Sequence, residues 1–99
     1  MTVDKTRDGN QATLKVEGRI DTLTAPEFDA SIKEELDDLT LLLIDLEGVE
    51  YISSAGLRVL LAAKKVMDNQ GEMRIKNVNE TVMEIFDVTG FTNILNIDE

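Results

Sequence analysis

The sequence predicts a single α/β domain over residues 1–99, with a mixed central β-sheet and helices packed on it, in the order β-β-α-β-α-β-α-β. Three observations lead to this prediction. Strand-like and helix-like segments alternate along the chain, and no linker rich in Pro, Gly or Ser interrupts them. One strand-like segment, LLLIDL at 41–46, is a continuous apolar run, which is typical of a strand buried on both faces of a sheet with parallel pairing. An Asp-Gly pair near the N-terminus indicates a hairpin before the alternation begins.

The first two strands form this predicted hairpin. ATLKVEG at 12–18 alternates: Leu14 and Val16 point one way, and the charged residues beside them point the other. This pattern is typical of a half-buried strand. We expect residues 2–7 to pair with it through the turn RDGN.

The first helix is predicted over TAPEFDASIKEEL, residues 24–36. Thr24 and Glu27 have the spacing of a capping box, and Pro26 suits a first helical turn. Apolar side chains spaced by four residues form one narrow stripe that should lie on the sheet, namely Phe28, Ile32 and Leu36.

Two more helices and two more strands complete the predicted order. A helix over 55–69 follows the buried strand, and EMRIKNV at 72–78 is the next strand. Asn79 is a favourable N-cap for a third helix, and Gly90 is its C-terminal stop. NILNI at 93–97 is predicted to close the chain as a short strand. The inward-facing residues of the third helix are expected to be Val82, Ile85 and Phe86.

The composition excludes several classes of site. Cysteine is absent, which excludes disulfides and thiol nucleophiles, and histidine, the commonest general base and metal ligand, is absent too. We therefore expect neither a metal nor a cofactor. The formal net charge of −10 argues against a nucleic-acid partner and favours a protein partner with a basic contact region. The N-terminus is polar, and no apolar stretch approaches the roughly 20 residues that span a bilayer. We expect a soluble cytoplasmic protein with no membrane partner.

Two of the three serines, Ser53 and Ser54, stand side by side between the buried strand and the second helix. Sites in α/β sheets tend to occur at such strand ends. A serine here can simply cap the helix, which stabilises it by roughly 1 kcal/mol. Alternatively, a hydroxyl here is phosphorylated, because a helix N-terminus favours an anion and the small Ala55 and Gly56 leave room for another protein. Spacing alone does not choose between the two roles or between the two serines.

The second helix carries apolar residues on two sides. At 100° per residue, one broad arc should be buried, namely Val59, Leu60, Ala63, Val66 and Met67. Leu57 and Leu61 fall almost opposite this arc, beside charged residues such as Arg58, and Ser54 projects onto the same side. We expect these residues to form an exposed partner-docking face. The alternative is that a neighbouring element covers the two leucines.

Three stretches of the chain carry a family resemblance. EGRIDTLTA, LLLIDLEGVEYISSAGLRVLLAAKK and GEMRIKNVNETVMEIFDVTGF, in this order, resemble the STAS-domain anti-sigma factor antagonists from about Leu14 to the end of the chain. The resemblance implies a STAS-type fold and a non-enzymatic switch. Unphosphorylated members of that family bind an anti-sigma factor that is also a serine kinase, and so free the sigma factor. Phosphorylated members are released, and a serine phosphatase resets them.

The resemblance also implies which residues act. In that family the phosphorylated serine lies two residues before a Gly-Leu pair, which is matched by Ser54 here, with Ser53 as the alternate site. Asp21, in GRID, matches a family aspartate near the phosphorylation loop. The expected partner-binding residues are Asp21, Ser53, Ser54, Ala55, Gly56, Leu57, Arg58 and Leu61.

Two other functions stay open. An enzyme could use a metal or acid–base cluster built from Asp21, Asp45, Glu47 and Glu50. Loop carboxylates are usually just solvated, however, and the sequence has neither a G-x-S-x-G elbow nor a Gly-rich phosphate loop followed by Lys. The other function, suggested by the resemblance, is that of a STAS scaffold in a stressosome-like signalling complex, which uses similar serine or threonine switches.

Overall fold

A computed structural model describes residues 1–98 and confirms the predicted fold class. Four strands form one sheet in the order β1 (Thr2–Asp8), β2 (Gln11–Ile20), β3 (Leu41–Ile52) and β4 (Glu72–Lys76). β1 and β2 are antiparallel, whereas β2 pairs with β3 and β3 with β4 in parallel. The sheet is therefore mixed, and each parallel pair is joined by a helix, because parallel strands need a crossover connection.

Three helices cover this sheet. α1 (Ala25–Lys33) connects β2 to β3, α2 (Ser54–Asp68) connects β3 to β4, and α3 (Glu80–Thr89) follows β4. α1 and α2 pack against each other, and α3 packs against β3. The largest fully buried side chains between the layers are Phe28, Phe86, Leu14, Ile20, Ile32, Leu39, Leu42, Ile44, Leu46, Ile52, Leu60 and Met67.

β1 is the outer strand of the sheet at one edge. Its Lys5 forms an ion pair with Glu34, just past the end of α1. Arg7 donates hydrogen bonds to the carbonyl oxygens of Glu35 at 2.8 Å and Asp37 at 3.2 Å. Alternate side chains of this strand are therefore directed to the helical side of the sheet, as the strand period requires.

α1 does not begin with the predicted capping box. The hydroxyl of Thr24 donates to the carbonyl oxygen of Arg19 at 2.8 Å and accepts from the backbone N–H of Asp21 at 2.9 Å, so it makes no cap hydrogen bond. The Thr24 hydroxyl is therefore hydrogen-bonded to the backbone that precedes α1 and not to an N–H group of the helix. The apolar stripe is confirmed within the helix, where Phe28 and Ile32 are fully buried. The predicted end at Leu36 is wrong, because α1 ends at Lys33 and Leu36 packs against the core from the following loop.

α3 begins and ends as predicted. The side-chain oxygen of Asn79 accepts from the N–H of Val82 at 2.9 Å, which caps the helix. Gly90 ends it in the left-handed region, with φ of 80°, which glycine adopts without strain. Phe86 is buried as predicted, together with Val82, whereas Ile85 is only partly buried.

The predicted last two strands are shorter than expected. β4 ends at Lys76 because the next residue, Asn77, has a positive φ of 55°, which is incompatible with an extended strand. Residues 93–97 do not form a regular strand. A 3-10 turn occupies Phe91–Asn93, and only Ile97 forms a parallel bridge, to Ile75. The last β unit of the predicted order is thus a single bridge.

Candidate functional site

The candidate site lies where β2 and β3 end side by side. Ile20 and Ile52 are partners in the parallel register, and the backbone N–H of Ser53 donates to the carbonyl oxygen of Ile20 at 2.8 Å. Asp21 and Ser53 therefore follow two adjacent strand ends. This is the carboxyl edge of the sheet, where sites in α/β folds tend to occur.

The two neighbouring serines have different environments. Ser53 is the N-cap of α2: its backbone is extended, with φ −87° and ψ 174°, and its hydroxyl oxygen accepts from the N–H of Gly56 at 3.3 Å. Ser54 is the first helical residue and is exposed, and its hydroxyl makes no hydrogen bond within residues 1–98. The capping role thus falls to Ser53, which leaves the Ser54 hydroxyl accessible from outside.

Asp21 organises the turn between β2 and α1. One of its carboxylate oxygens accepts from the backbone N–H groups of Leu23 and Thr24, both at 3.0 Å. The pKa of Asp21 lies below its ordinary value, mainly because the carboxylate accepts the N–H of Thr24. The hydrogen bond from the N–H of Leu23 lowers this pKa further. Arg19 adds a weaker ionic contact, with its Nε 4.0 Å from the carboxylate. Asp21 therefore fixes the loop beside the serines as a charged, hydrogen-bonded group.

Gly56 and Leu57 do not belong to an exposed face, and this part of the docking expectation is wrong. A Cβ at position 56 would lie 2.6 Å from Cγ2 of Ile20 and 2.7 Å from Cγ1 of Ile52, so the start of α2 lies directly over the ends of β2 and β3. Leu57, the next residue, is consequently buried, with 5% of its surface exposed. Both residues form the base beneath the site and do not line its surface.

The buried arc of α2 is rotated relative to the prediction. Leu60, Ala63 and Met67 are buried as expected. Val59 is only partly buried, and Val66 is 39% exposed. The sequence pattern missed this because the close approach at the start of the helix, which sets the rotation, depends on residues distant along the chain. Of the other proposed docking residues, Arg58 is exposed, and Ala55 and Leu61 are half-buried.

A groove of about 460 Å³ opens between α1 and α2, next to the serines. Its wall includes Ala55, the neighbour of Ser54, and Thr22 from the Asp21 turn. The other lining residues are small, apolar or charged: Ala25, Pro26, Asp29, Lys33, Arg58, Val59 and Ala62. Sequence reasoning did not find this groove, although short side chains at 25, 55 and 62 on the two helices were a signal of it. The groove extends the candidate site along the helices.

Two of the four carboxylates considered for an enzyme, those of Asp21 and Asp45, hold local structure in the described part of the chain. Asp45 accepts from the N–H of Glu47 and from the side-chain amide of Asn77, both at 2.9 Å. Within residues 1–98, no three Asp or Glu side chains are grouped in a way that could hold a metal ion. None of the helices in this range is long and apolar enough to cross a membrane.

The family model described as STAS domain matches residues 2–99. The chain belongs to the STAS domain family. The anti-sigma-B factor antagonist of Bacillus subtilis strain 168 is similar to this STAS domain, with 29% identity over 96 residues that cover 96% of this chain and 88% of the relative.

Two solved structures share the fold of this STAS domain. An anti-sigma factor antagonist from Mycobacterium paratuberculosis superposes with a TM-score of 0.88 at 24% identity, over 97% of this chain and 83% of that chain. The Bacillus cell fate determinant SpoIIAA in its phosphorylated form superposes with a TM-score of 0.76 at 14% identity, over 99% and 92% of the two chains. At these identities the likeness is one of fold.

Proposed function

We propose that this STAS domain is an anti-sigma factor antagonist. It binds an anti-sigma factor and so frees a sigma factor to act in transcription, and it does this in the cytoplasm by binding, without catalysing a reaction. The relative from Bacillus subtilis, which matches nearly the whole chain, carries that name. The observation on which the proposal depends most is the exposed, unbonded hydroxyl of Ser54 beside a capping Ser53, because such a hydroxyl can be modified without disturbing the helix.

In this proposal the anti-sigma factor is also a serine kinase and phosphorylates Ser54. The Ser54 oxygen attacks the γ-phosphorus of a nucleoside triphosphate that the kinase holds. An O–P bond forms, the bond to the leaving nucleoside diphosphate breaks, and the hydroxyl proton passes to a base of the kinase. A serine phosphatase later hydrolyses the ester with water, which restores the hydroxyl and releases inorganic phosphate. We assign the phosphate to Ser54 rather than to Ser53, because phosphorylation of Ser53 would disturb the hydrogen bond by which its oxygen caps α2.

The phosphate acts on the partner and not on the fold. It adds about −1.5 to −2 charges at the N-terminus of α2, where the helix dipole favours negative charge, so the domain stays folded. The docking surface consists of the Asp21 turn, Ser54, the groove beginning at Ala55, and the exposed Arg58, with Leu61 at its side. A new anion on this surface weakens binding through charge repulsion and through the cost of desolvating the phosphate.

The proposal is tested with the anti-sigma factor kinases encoded in the same genome. Each is titrated calorimetrically with the unmodified protein and with Ser54→Ala and Ser54→Asp, and the products of incubation with ATP are mapped by mass spectrometry. We expect phosphate on Ser54 alone, unchanged binding for Ser54→Ala, and binding weaker by roughly tenfold or more for Ser54→Asp, a loss of about 1.4 kcal/mol.

Ser53→Ala is the matched control and should still accept phosphate. Phosphate transfer to Ser54→Ala, or equal affinity of the Ala and Asp variants, contradicts the proposal. Size-exclusion chromatography separates it from the scaffold alternative, because a stressosome-like module elutes in a very large assembly and an antagonist elutes in a small complex.

A further inference from the structure

Arg58 is a cation without a partner in the described part of the chain. It is exposed on α2 and makes neither an ion pair nor a side-chain hydrogen bond among residues 1–98. The other three arginines are held by their neighbours: Arg7 by backbone carbonyls, Arg19 by an aromatic ring and a carboxylate, and Arg74 by carboxylates. In a chain with 20 acidic residues and a net charge of −10, Arg58 is therefore the arginine beside the candidate site whose guanidinium is free to bind an anion.

Arg58 lies four residues after Ser54 on the same helix. Side chains at this spacing share one face of a helix, with their Cβ atoms about 5–6 Å apart. An anion placed N-terminal to a cation at this spacing is the favourable orientation. A guanidinium can also bind a phosphate with two parallel hydrogen bonds. A phosphate on Ser54 is therefore within reach of Arg58.

The one acidic residue that lines the groove together with Arg58, Asp29, is already engaged, and so is the carboxylate of the neighbouring Asp21 turn. Asp29 of α1 forms an ion pair with Lys33 at 2.8 Å, so its charge is compensated on its own helix. The carboxylate of Asp21 accepts the N–H groups of its own turn. No carboxylate among residues 1–98 is thus paired with Arg58, which leaves its guanidinium free for an anion from outside the domain.

We propose, on the basis of the function proposed above, that Arg58 changes partners with the phosphorylation state of Ser54. In the unmodified protein it pairs with a carboxylate of the anti-sigma factor. In the phosphorylated protein it pairs with the phosphate one helical turn away. Phosphorylation therefore has two effects: it adds an anion, and it engages the guanidinium that had paired with the partner's carboxylate. That carboxylate then faces a phosphate instead of a free cation, and its contact becomes repulsive.

The intramolecular pair is tested without the partner. Phosphoserine is installed at position 54 during translation, and the second ionisation of the phosphate, ordinarily near pH 6, is followed by ³¹P NMR. Arg58 should hold this pKa roughly 0.3–0.5 units below that of Arg58→Ala, a two- to threefold change in the dissociation constant. Arg58→Lys should restore part of the shift. Lys65→Ala, which removes one exposed cation farther along the same helix, should leave it unchanged.

The exchange of partners is tested by affinity. Arg58→Ala should weaken binding of the unmodified protein to the anti-sigma factor roughly tenfold and leave the weak binding of the phosphorylated form nearly unchanged. An equal loss in both forms, or an unchanged phosphate pKa in Arg58→Ala, overturns the inference. If no kinase modifies Ser54, the proposed function fails while the NMR titration still decides the pairing. If Ser54 switches binding but Arg58→Ala has no effect on it, this inference alone fails.

Discussion

The hydroxyl oxygen of Ser53 accepts a hydrogen bond from the backbone N–H of Gly56 at 3.3 Å and so caps α2. This bond satisfies one of the N–H groups that the first turn of a helix leaves without an internal partner. The neighbouring Ser54 takes no part in it. Ser53 therefore stabilises the helix, whereas Ser54 presents a free hydroxyl. Because the two roles belong to different residues, each can be tested by its own substitution.

Ser53→Ala should destabilise the domain by about 1 kcal/mol, because it removes the cap. For a chain of this size such a loss corresponds to a melting temperature lower by roughly 4–8 °C, which circular dichroism resolves. Ser54→Ala is the matched control and should change the free energy of unfolding by less than about 0.5 kcal/mol, as is usual at exposed positions. Equal losses in the two variants would show that both hydroxyls support the helix.

Leu57→Ala should destabilise the domain by about 2–5 kcal/mol, the usual cost of truncating a buried leucine. Leu57 is only 5% exposed, and Gly56 beside it leaves the backbone little room to collapse into the cavity. Urea denaturation measures the effect. The half-buried Leu61 on the same helix provides the comparison, and Leu61→Ala should cost clearly less. A Leu57→Ala variant of unchanged stability but reduced partner affinity would return Leu57 to the docking surface.

Gly56→Ala should destabilise the domain, although alanine is the better helix former by about 1 kcal/mol. The added methyl group would lie 2.6 Å from Ile20 and 2.7 Å from Ile52, and both contacts involve branched side chains held in the core. Ala62, exposed in the same helix, has no such constraint, so Ala62→Gly should cost about 0.5–1 kcal/mol. Glycine is thus preferred at one position of α2 and alanine at the other. A more stable Gly56→Ala variant would mean that α2 can move away from the sheet.

Asp21→Asn should reduce the dependence of stability on acidic pH. Because the folded protein holds the pKa of Asp21 below its ordinary value, the charged carboxylate stabilises the fold above about pH 4. This contribution is lost as the pH falls through the lowered pKa. The melting temperatures of the two proteins should therefore differ at neutral pH and converge towards pH 2. Asp4→Asn, on the exposed strand β1, controls for the removal of one negative charge. If the melting temperatures of the two proteins differed by the same amount down to pH 2, the charge of Asp21 would not stabilise the fold.

The sequence was sufficient where a signal and its effect lie close together in the chain. The N-terminal hairpin, the Asn79 cap and the left-handed Gly90 each involve hydrogen bonds or dihedral angles within about four residues. The central pair of the hairpin turn is Gly9-Asn10 instead of Asp8-Gly9, because Asp8 still pairs with Gln11. The apolar run at 41–46 also predicted parallel pairing correctly, but its prediction of burial on both faces was wrong. Leu42, Ile44 and Leu46 are fully buried, whereas the residues that alternate with them are only partly buried.

The failures arise where a contact outside the helix outweighs the pattern within it. Thr24 has the residue type and spacing of a cap, but the carbonyl oxygen of Arg19 captures its hydroxyl. Leu57 is exposed on a helical wheel, but the ends of β2 and β3 lie beneath it. The helical pattern reports neither the hydrogen bond in the preceding loop nor the packing of α2 on the strand ends.

The sequence pattern predicted where the candidate site lies, but it did not show which of the two serines caps the helix and which is exposed. The serine pair at the end of a buried strand predicted its position, and the backbone angles of Ser53 were needed to separate the capping residue from the exposed one. The groove between α1 and α2 was missed, since it depends on how two helices meet across the sheet. Phosphorylation of Ser54 and the identity of the docking partner stay predictions.

The edge position of β1 has a consequence for how copies of the protein meet. A second β1 that approached antiparallel could align only residues directed to the same side of the sheet. Centring such a pair on Lys5 sets lysine against lysine, centring it on Thr6 sets Lys5 against Arg7, and centring it on Asp4 sets aspartate against aspartate. Like charges directly opposite one another repel. In these registers the free edge of the sheet therefore resists joining the same edge of a second copy, which disfavours a dimer built on one continuous sheet.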